Sequence, residues 1–136
     1  MDDFNPLEVS IDTGINGGIA VEGNPVNFTV SLNQISDEET TINVEILSLP
    51  SDSATEGADY QTIAVIPVVI SAGGLSESFD IATFVDQLQE GNETFTARIV
   101  SAQNLNGDVI IVNNTAQGII VDDFDPPVVS IDTGVN

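Results

Sequence analysis

Apolar and polar residues alternate along most of this chain, and turn residues interrupt the alternation at regular intervals. A period of two, with abundant valine, isoleucine and threonine, is typical of half-buried β-strands. No segment keeps the 3.6-residue period of an amphipathic helix. The pattern predicts strands over residues 7–13, 26–33, 40–49, 64–71, 76–85, 93–102 and 115–121, and it leaves 19–21 and 109–112 as candidates for short additional strands.

Seven short strands in a chain of 136 residues predict an all-β protein, a seven-stranded antiparallel immunoglobulin-like β-sandwich. Alternation along the strands places Phe28 and Val30 on one inward face and Phe95 on another. Tyr60 is expected in the core as well. Pro67 cannot donate a ladder hydrogen bond, so its strand is predicted at a sheet edge or a bulge.

The two ends of the chain repeat each other. Residues 2–16 and 122–136 are identical at 11 of 15 positions, at an offset of 122 − 2 = 120 residues. A period of this length suits a whole domain rather than a solenoid unit. We therefore expect residues 1–6 to be a linker left from a preceding repeat, 7–125 to be the sandwich, and 126–136 to be a linker and the first strand of the next repeat.

Residues 128–135 repeat the first strand but have no sheet of their own, so they would offer an unpaired strand edge. We expect this tail to be disordered or to pair with a neighbouring molecule, including by strand exchange into the first-strand position of another copy. An ordered tail packed on its own domain would contradict this expectation.

Charge narrows the range of partners. The chain has 22 acidic residues and one basic residue, Arg98, for a formal net charge of −21, and it contains no Lys, His or Cys. Nucleic acid and anionic lipid are excluded as direct partners because phosphate binding needs basic side chains, so any membrane association would come through the parent protein. Without His, Cys or Lys, most catalytic constellations are absent, and we do not expect an enzyme. Cations are the natural partners, although the charge could also serve solubility alone.

The placement of the acids favours cation binding. If successive strands alternate in direction, every second connection and the end of the last strand meet at one end of the sandwich, which we call the exit pole. The acids expected there are Glu22, Glu56, Asp59, Asp86, Glu90, Glu93, Asp122, Asp123 and Asp125. Such a crowd of oxygen ligands suits Ca²⁺, which takes about 6–8 oxygens in irregular loops. Mg²⁺ fits such a ligand set less well, and Zn²⁺ would require His or Cys ligands.

Several blocks of the sequence resemble the Calx-beta domain family. They are Val21-Glu22-Gly23, the run Ala54-Thr55-Glu56-Gly57-Ala58-Asp59-Tyr60, Ala72-Gly73-Gly74, the run from Asp86 to Phe95, and Ile119-Ile120-Val121-Asp122-Asp123. The resemblance implies a seven-stranded sandwich that binds Ca²⁺ through loops at one end, as in sodium–calcium exchangers and many bacterial surface proteins. By position it matches Glu22, Asp59, Asp86, Glu90, Asp122 and Asp123 to the family's ligands, with Asp125 as a further ligand.

Two departures from the family lower the expected affinity. Strongly binding members carry consecutive Asp where this chain has Val85-Asp86, and they end in three Asp where it has Asp122-Asp123-Phe124. We therefore expect one or two calcium sites of moderate affinity rather than a tight cluster of ions.

The favoured function is a calcium-binding structural repeat of a large extracellular or cell-surface protein, adhesin-like, in which calcium stiffens the junction with the adjacent repeat of the same chain. A carbohydrate- or protein-binding adhesion module, or a calcium sensor that changes inter-domain geometry, are the alternatives.

Overall fold

The computed structural model describes residues 6–85, 91–107 and 109–122, and these residues form nine strands. The strands are β1 (Leu7–Thr13), β2 (Ile19–Val21), β3 (Val26–Leu32), β4 (Thr40–Leu47), β5 (Ile66–Ile70), β6 (Ser76–Ile81), β7 (Glu93–Asn104), β8 (Val109–Asn113) and β9 (Thr115–Val121). A short 3-10 segment, Ile15–Gly18, joins β1 to β2. Across the same residues, no helix has the length and apolar character needed to cross a membrane.

The strands form two sheets, in the orders β6-β3-β1-β8 and β2-β9-β7-β4-β5. Alternating residues of both sheets face each other and form one aliphatic and aromatic core. Its fully buried side chains include Tyr60, Phe28, Phe95, Ile11, Ile42, Ile70, Ile81, Ile120, Val9, Val26, Val30 and Val44. The prediction of an all-β sandwich is thus confirmed, as are the inward positions of Phe28, Val30 and Phe95 and the core position of Tyr60. Pro67 lies in β5, at the edge of its sheet, as predicted.

The predicted count of seven antiparallel strands is not confirmed. The two candidate short segments are strands, and each pairs in parallel with its neighbour: β8 with β1, and β2 with β9. The first strand divides because Asn16 and Gly17 take left-handed backbone angles, with φ of 62° and 65°. This break, fixed by a hydrogen bond from the Ile15 amide to Asn27 Oδ1 (3.0 Å), carries the chain from one sheet to the other.

Several predicted strand ends were wrong by two to four residues. The third and fifth predicted strands end at Leu47 and Ile81 instead of 49 and 85, and the fourth begins at Ile66 instead of 64. β7 continues to Asn104, beyond the predicted 102, because β4 pairs with it as far as Thr40↔Asn104.

The strand directions agree with the predicted exit pole. β1 runs antiparallel to β3 and β3 to β6, while β4 runs antiparallel to β5 and β7, and β7 to β9. The end of β2, the β4–β5 loop and the end of β9 therefore share one pole. The described residues reach neither the predicted ligands Asp86, Glu90, Asp123 and Asp125 nor the tail at 126–136, so these assignments, the strand exchange and the domain limits stay predictions.

Candidate metal centre

Thr83 joins two of the loops at the exit pole. The Gly23 amide donates to Thr83 Oγ1 (2.9 Å), and that hydroxyl donates to the carbonyl oxygen of Asn24 (2.7 Å). Beside it, the Phe84 amide donates to the carbonyl oxygen of Asp59 (3.0 Å). The segment after β6 thus contacts both the loop that carries Glu22 and the loop that carries Asp59.

Glu22 lies beside the end of β9. Its amide donates to the carbonyl oxygen of Val121 (2.9 Å), which extends the parallel pairing Val21↔Val121 by one residue. Glu22 is only 3% exposed, and the half-buried Asp122 follows Val121 directly. The backbone thereby brings two acids from distant parts of the sequence to neighbouring positions.

Asp59 is held by a tight turn. Its Oδ2 accepts from the Thr55 amide (2.7 Å), and its own amide donates to the Thr55 carbonyl oxygen (2.8 Å). Gly57, with a φ of 86°, permits this turn, because a side chain there would be strained. The Asp59 side chain is 7% exposed, so the turn presents a carboxylate at the pole while withdrawing most of it from water.

The structure brings three of the seven predicted ligands, Glu22, Asp59 and Asp122, to the exit pole. Across residues 6–85, 91–107 and 109–122, however, no three acidic side chains group closely enough to hold a metal ion between them. The three described acids are therefore not a complete site by themselves. A complete site would need ligands from 86–90 and 123–125, where the sequence places Asp86, Glu90, Asp123 and Asp125.

Electrostatics favours a cation at this pole. The only basic side chain of the chain, Arg98, forms an ion pair with Glu45 in the middle of the β4–β7 ladder. No lysine, arginine or histidine side chain is then left to neutralise the acids at the exit pole. The all-oxygen donor set of these acids fits a hard cation such as Ca²⁺.

Asp52 fixes the β4–β5 loop to the sheet, a role that the hydrophobic pattern and the family resemblance do not predict. Its Oδ1 accepts from Thr94 Oγ1 (2.9 Å) and Gln117 Nε2 (3.2 Å), and its Oδ2 accepts from Thr96 Oγ1 (2.7 Å) and the Leu49 amide (2.9 Å). The only sequence signal is the spacing of Thr94 and Thr96, which places both hydroxyls on one strand face. Asp52 thus holds the loop of Asp59 without belonging to the predicted ligand set.

The pKa of Asp52 is lowered from its usual 3.8: burial raises it, but the hydrogen bonds from Thr96, Leu49, Thr94 and Gln117 outweigh burial. A lowered pKa contributes stability above the unfolded value, and this contribution disappears as the pH falls through the folded value. Asp52→Asn should therefore lower the free energy of unfolding by about 1–2 kcal/mol at neutral pH. The deficit should shrink below pH 3.8.

Urea unfolding of Asp52→Asn at neutral pH and below pH 3.8 checks this prediction, with Asp12→Asn, at an exposed strand position, as the control. An Asp52→Asn deficit that stays constant with pH would contradict it.

Tyr60 connects the loop to the core. Its ring stacks on Phe95 with a centroid distance of 4.4 Å, and its hydroxyl lies 2.8 Å from Ser48 Oγ, which donates to the Ala54 carbonyl oxygen. Burial raises the pKa of Tyr60 and the nearby acids add to this, while the Ser48 hydrogen bond opposes it. The hydroxyl consequently stays protonated, and the turn that carries Asp59 is held to the core by its next residue.

Neither a model of a protein family nor a curated protein matches the sequence of this chain. Solved structures do match its fold. The apo-form Calx CBD1 domain superposes with a TM-score of 0.70 at 18% identity, over 88% of this chain and 99% of that one. The Calx CBD2 domain superposes with a TM-score of 0.65 at 12% identity, over 85% of this chain and 86% of that one.

Longer solved structures contain the same fold. CBD12 from CALX1.2 matches with a TM-score of 0.66 at 19% identity over 85% of this chain, which spans only 45% of that protein. Calcium binding domain CBD12 of CALX1.1 gives 0.65 at 19% identity, again over 45% of its length. At such identities the likeness concerns architecture, and the chain has the fold of the Calx CBD domains.

Proposed function

We propose that this chain is a calcium-binding structural repeat and not an enzyme. The observation that carries the proposal is the convergence of Glu22, Asp59 and Asp122 at one pole, two of them buried, in a chain whose single basic side chain is paired elsewhere. The fold shared with a structure named as a calcium binding domain, CBD12 of CALX1.1, supports it.

The proposed ligands come from four segments that alternating strand directions would bring to or beside the exit pole. Bound calcium would supply positive charge among these acids and connect the segments to one another. The residues proposed to hold it are Glu22, Asp59, Asp86, Glu90, Asp122, Asp123 and Asp125. Thr83 and Asp52 hold the loops in position without binding the ion.

We further propose that calcium at this pole stiffens the junction with the next repeat of a large extracellular or cell-surface protein. Asp122 follows β9 directly, so ligation by it and by Asp123 would restrain the chain where it leaves the sandwich. The repeated segment at 2–16 and 122–136 supports a tandem arrangement. The longer CBD12 chains show that the fold also occurs as part of larger proteins.

Isothermal titration of the metal-free protein with CaCl₂ tests the proposal. We expect a binding heat in the wild type, and a weakening in Glu22→Gln and Asp59→Asn that exceeds the roughly tenfold loss caused by removing even an outer-shell partner of a metal site. Glu39→Gln, with the same change of charge in the exposed β3–β4 connection at the other pole, is the matched control. No binding heat with millimolar calcium would refute the proposal.

Other functions would give different results. A carbohydrate- or protein-binding module would give ligands on a glycan array or in a pull-down that do not depend on the exit pole. A calcium sensor would change the scattering profile of two linked repeats when calcium is added, whereas a static spacer would keep its inter-repeat angle.

A further inference from the structure

Four aliphatic side chains form a patch on the outer surface of the sandwich. In the parallel pair of β2 and β9, Ile19 lies beside Ile119 and Val21 beside Val121. The alternate residues, Ala20 and Ile120, contact the core, so the four neighbours point outward. Ile19 is 45% exposed and Val21 40%, while Ile119 and Val121 are half-buried. We call Ile19, Val21, Ile119 and Val121 the aliphatic patch.

The patch pairs aliphatic side chains with one another, whereas exposed aliphatics elsewhere in the sheets, such as Ile110 and Val69, pair with the polar residues Glu8 and Thr41. Further back along β9 the outward position is taken by Gln117, and on the other sheet Thr29 bonds to Ser78. Scattered exposed aliphatics are normal, but a contiguous group marks a contact surface. Ile19 and Val21 also line a groove of about 500 Å³ together with Ile15 and Pro25. A contiguous apolar surface of this kind is suited to docking an apolar side chain.

The position of the patch indicates what covers it. The hydrogen bond from the Glu22 amide to the Val121 carbonyl oxygen keeps the end of β9 beside the end of β2. From there 14 residues follow Asp122, beginning Asp123-Phe124-Asp125-Pro126-Pro127. A residue spans at most about 3.6 Å, so the Cα atom of Phe124 lies within about 11 Å of that of Val121. The continuing chain therefore starts at the margin of the patch.

Phe124 is the side chain of that segment best suited to contact an apolar surface. Phe124 is the only aromatic residue between Asp122 and Pro127, and acids precede and follow it. A phenylalanine ring has about 150 Å² or more of surface to bury, and the patch offers apolar contacts without a charge. The two flanking carboxylates, Asp123 and Asp125, can stay off the sheet, in water or on the proposed calcium ion, while the ring lies on it.

We propose that the aliphatic patch docks Phe124 and so fixes the direction in which the chain leaves the sandwich. This contact is apolar and needs no metal ion, so it can form without calcium even though the neighbouring Asp123 and Asp125 are proposed calcium ligands. Pro126 and Pro127 stiffen the chain just beyond it. Each junction of a tandem array would then carry its own aromatic contact with the repeat that precedes it.

The chain contains no tryptophan, so a single indole can report on this contact. We compare Phe124→Trp with Phe4→Trp in excess chelator, using acrylamide quenching and the emission maximum. Phe4 is a matched control because it also stands in the sequence Asp-Asp-Phe-x-Pro but precedes β1, far in sequence from the β9 that carries half of the patch. We expect the indole of Phe124→Trp to be blue-shifted and quenched several-fold more slowly than that of Phe4→Trp.

Changing the patch should remove this protection. Adding Val21→Thr to Phe124→Trp keeps a β-branched side chain at an exposed position and should raise quenching to the level of Phe4→Trp. Ile19→Thr provides a second variant if the first unfolds, which circular dichroism would show. Equal quenching of the two reporters, or protection that survives both patch variants, would overturn the proposal. Protection that rises with protein concentration would also overturn it, because a second copy would then cover the patch. All these outcomes are measured without calcium and do not depend on the calcium site.

Discussion

Phe95→Ala is expected to lower the free energy of unfolding by about 3–5 kcal/mol, the usual range for removing a fully buried phenylalanine. Phe95 has no exposed surface, and its ring contacts Phe28 edge-to-face at 5.8 Å and stacks on Tyr60 at 4.4 Å. Gly118 shows how closely the surroundings fit, because a Cβ there would lie 3.0 Å from atoms of both phenylalanine rings. The cavity left by the substitution could not be filled without moving β9.

Domains of this kind are stable by only about 5–15 kcal/mol, so the loss is a large part of the total. Denaturant unfolding followed by circular dichroism measures it. Phe84→Ala is the control: Phe84 is 40% exposed, so its removal should cost about 1 kcal/mol, well below the loss at Phe95. Similar losses in the two variants would mean that the stacked aromatic residues do not organise the core.

Calcium in large excess over its dissociation constant is expected to raise the melting temperature of the metal-free protein by about 5–15 °C. A ligand at 100 times its dissociation constant stabilises the folded state by about 2.7 kcal/mol, and each kcal/mol shifts the midpoint by a few degrees in a domain of this size. Neutralising acids in a chain of net charge −21 acts in the same direction. Differential scanning calorimetry, with chelator added to reverse the shift, measures the effect.

Two controls separate site binding from charge screening. NaCl at the same ionic strength should give a much smaller rise, because it screens charge without occupying a site. The double variant Glu22→Gln, Asp59→Asn should lose most of the calcium effect while keeping the response to NaCl. An equal rise with NaCl and CaCl₂ would show that the acids act only as diffuse charge.

The period-two pattern predicted the main strands because one face of each is buried and the other is not. The pattern could not predict whether the two short segments form strands. β2 and β8 are strands because each pairs with a neighbouring strand, and these parallel partners, β9 and β1, are about 100 residues away in sequence. The strand ends were missed for a related reason, since pairing with a neighbour determines where a strand stops.

The candidate site shows the same division. The alternating directions of successive strands were enough to place Glu22, Asp59 and Asp122 at one pole. That inference needs only the order of the strands and no knowledge of how the loops fold. It could not reveal that Asp52 is bonded to two threonines and a glutamine of other strands, because that depends on how a loop folds back over a sheet. A loop aspartate looks the same in sequence whether it binds an ion, fixes a loop or faces water.

The parallel pairing of β2 and β9 also determines how this module responds to tension. The chain enters through β1, which continues into β2, and leaves through the end of β9. Stretching the two ends therefore pulls these neighbouring strands in opposite directions along their length. The backbone hydrogen bonds from Ile19↔Ile119 to the Glu22–Val121 contact are then loaded in shear and must break together, not one after another as in unzipping. The geometry that brings the two acids together is thus also the one that resists extension.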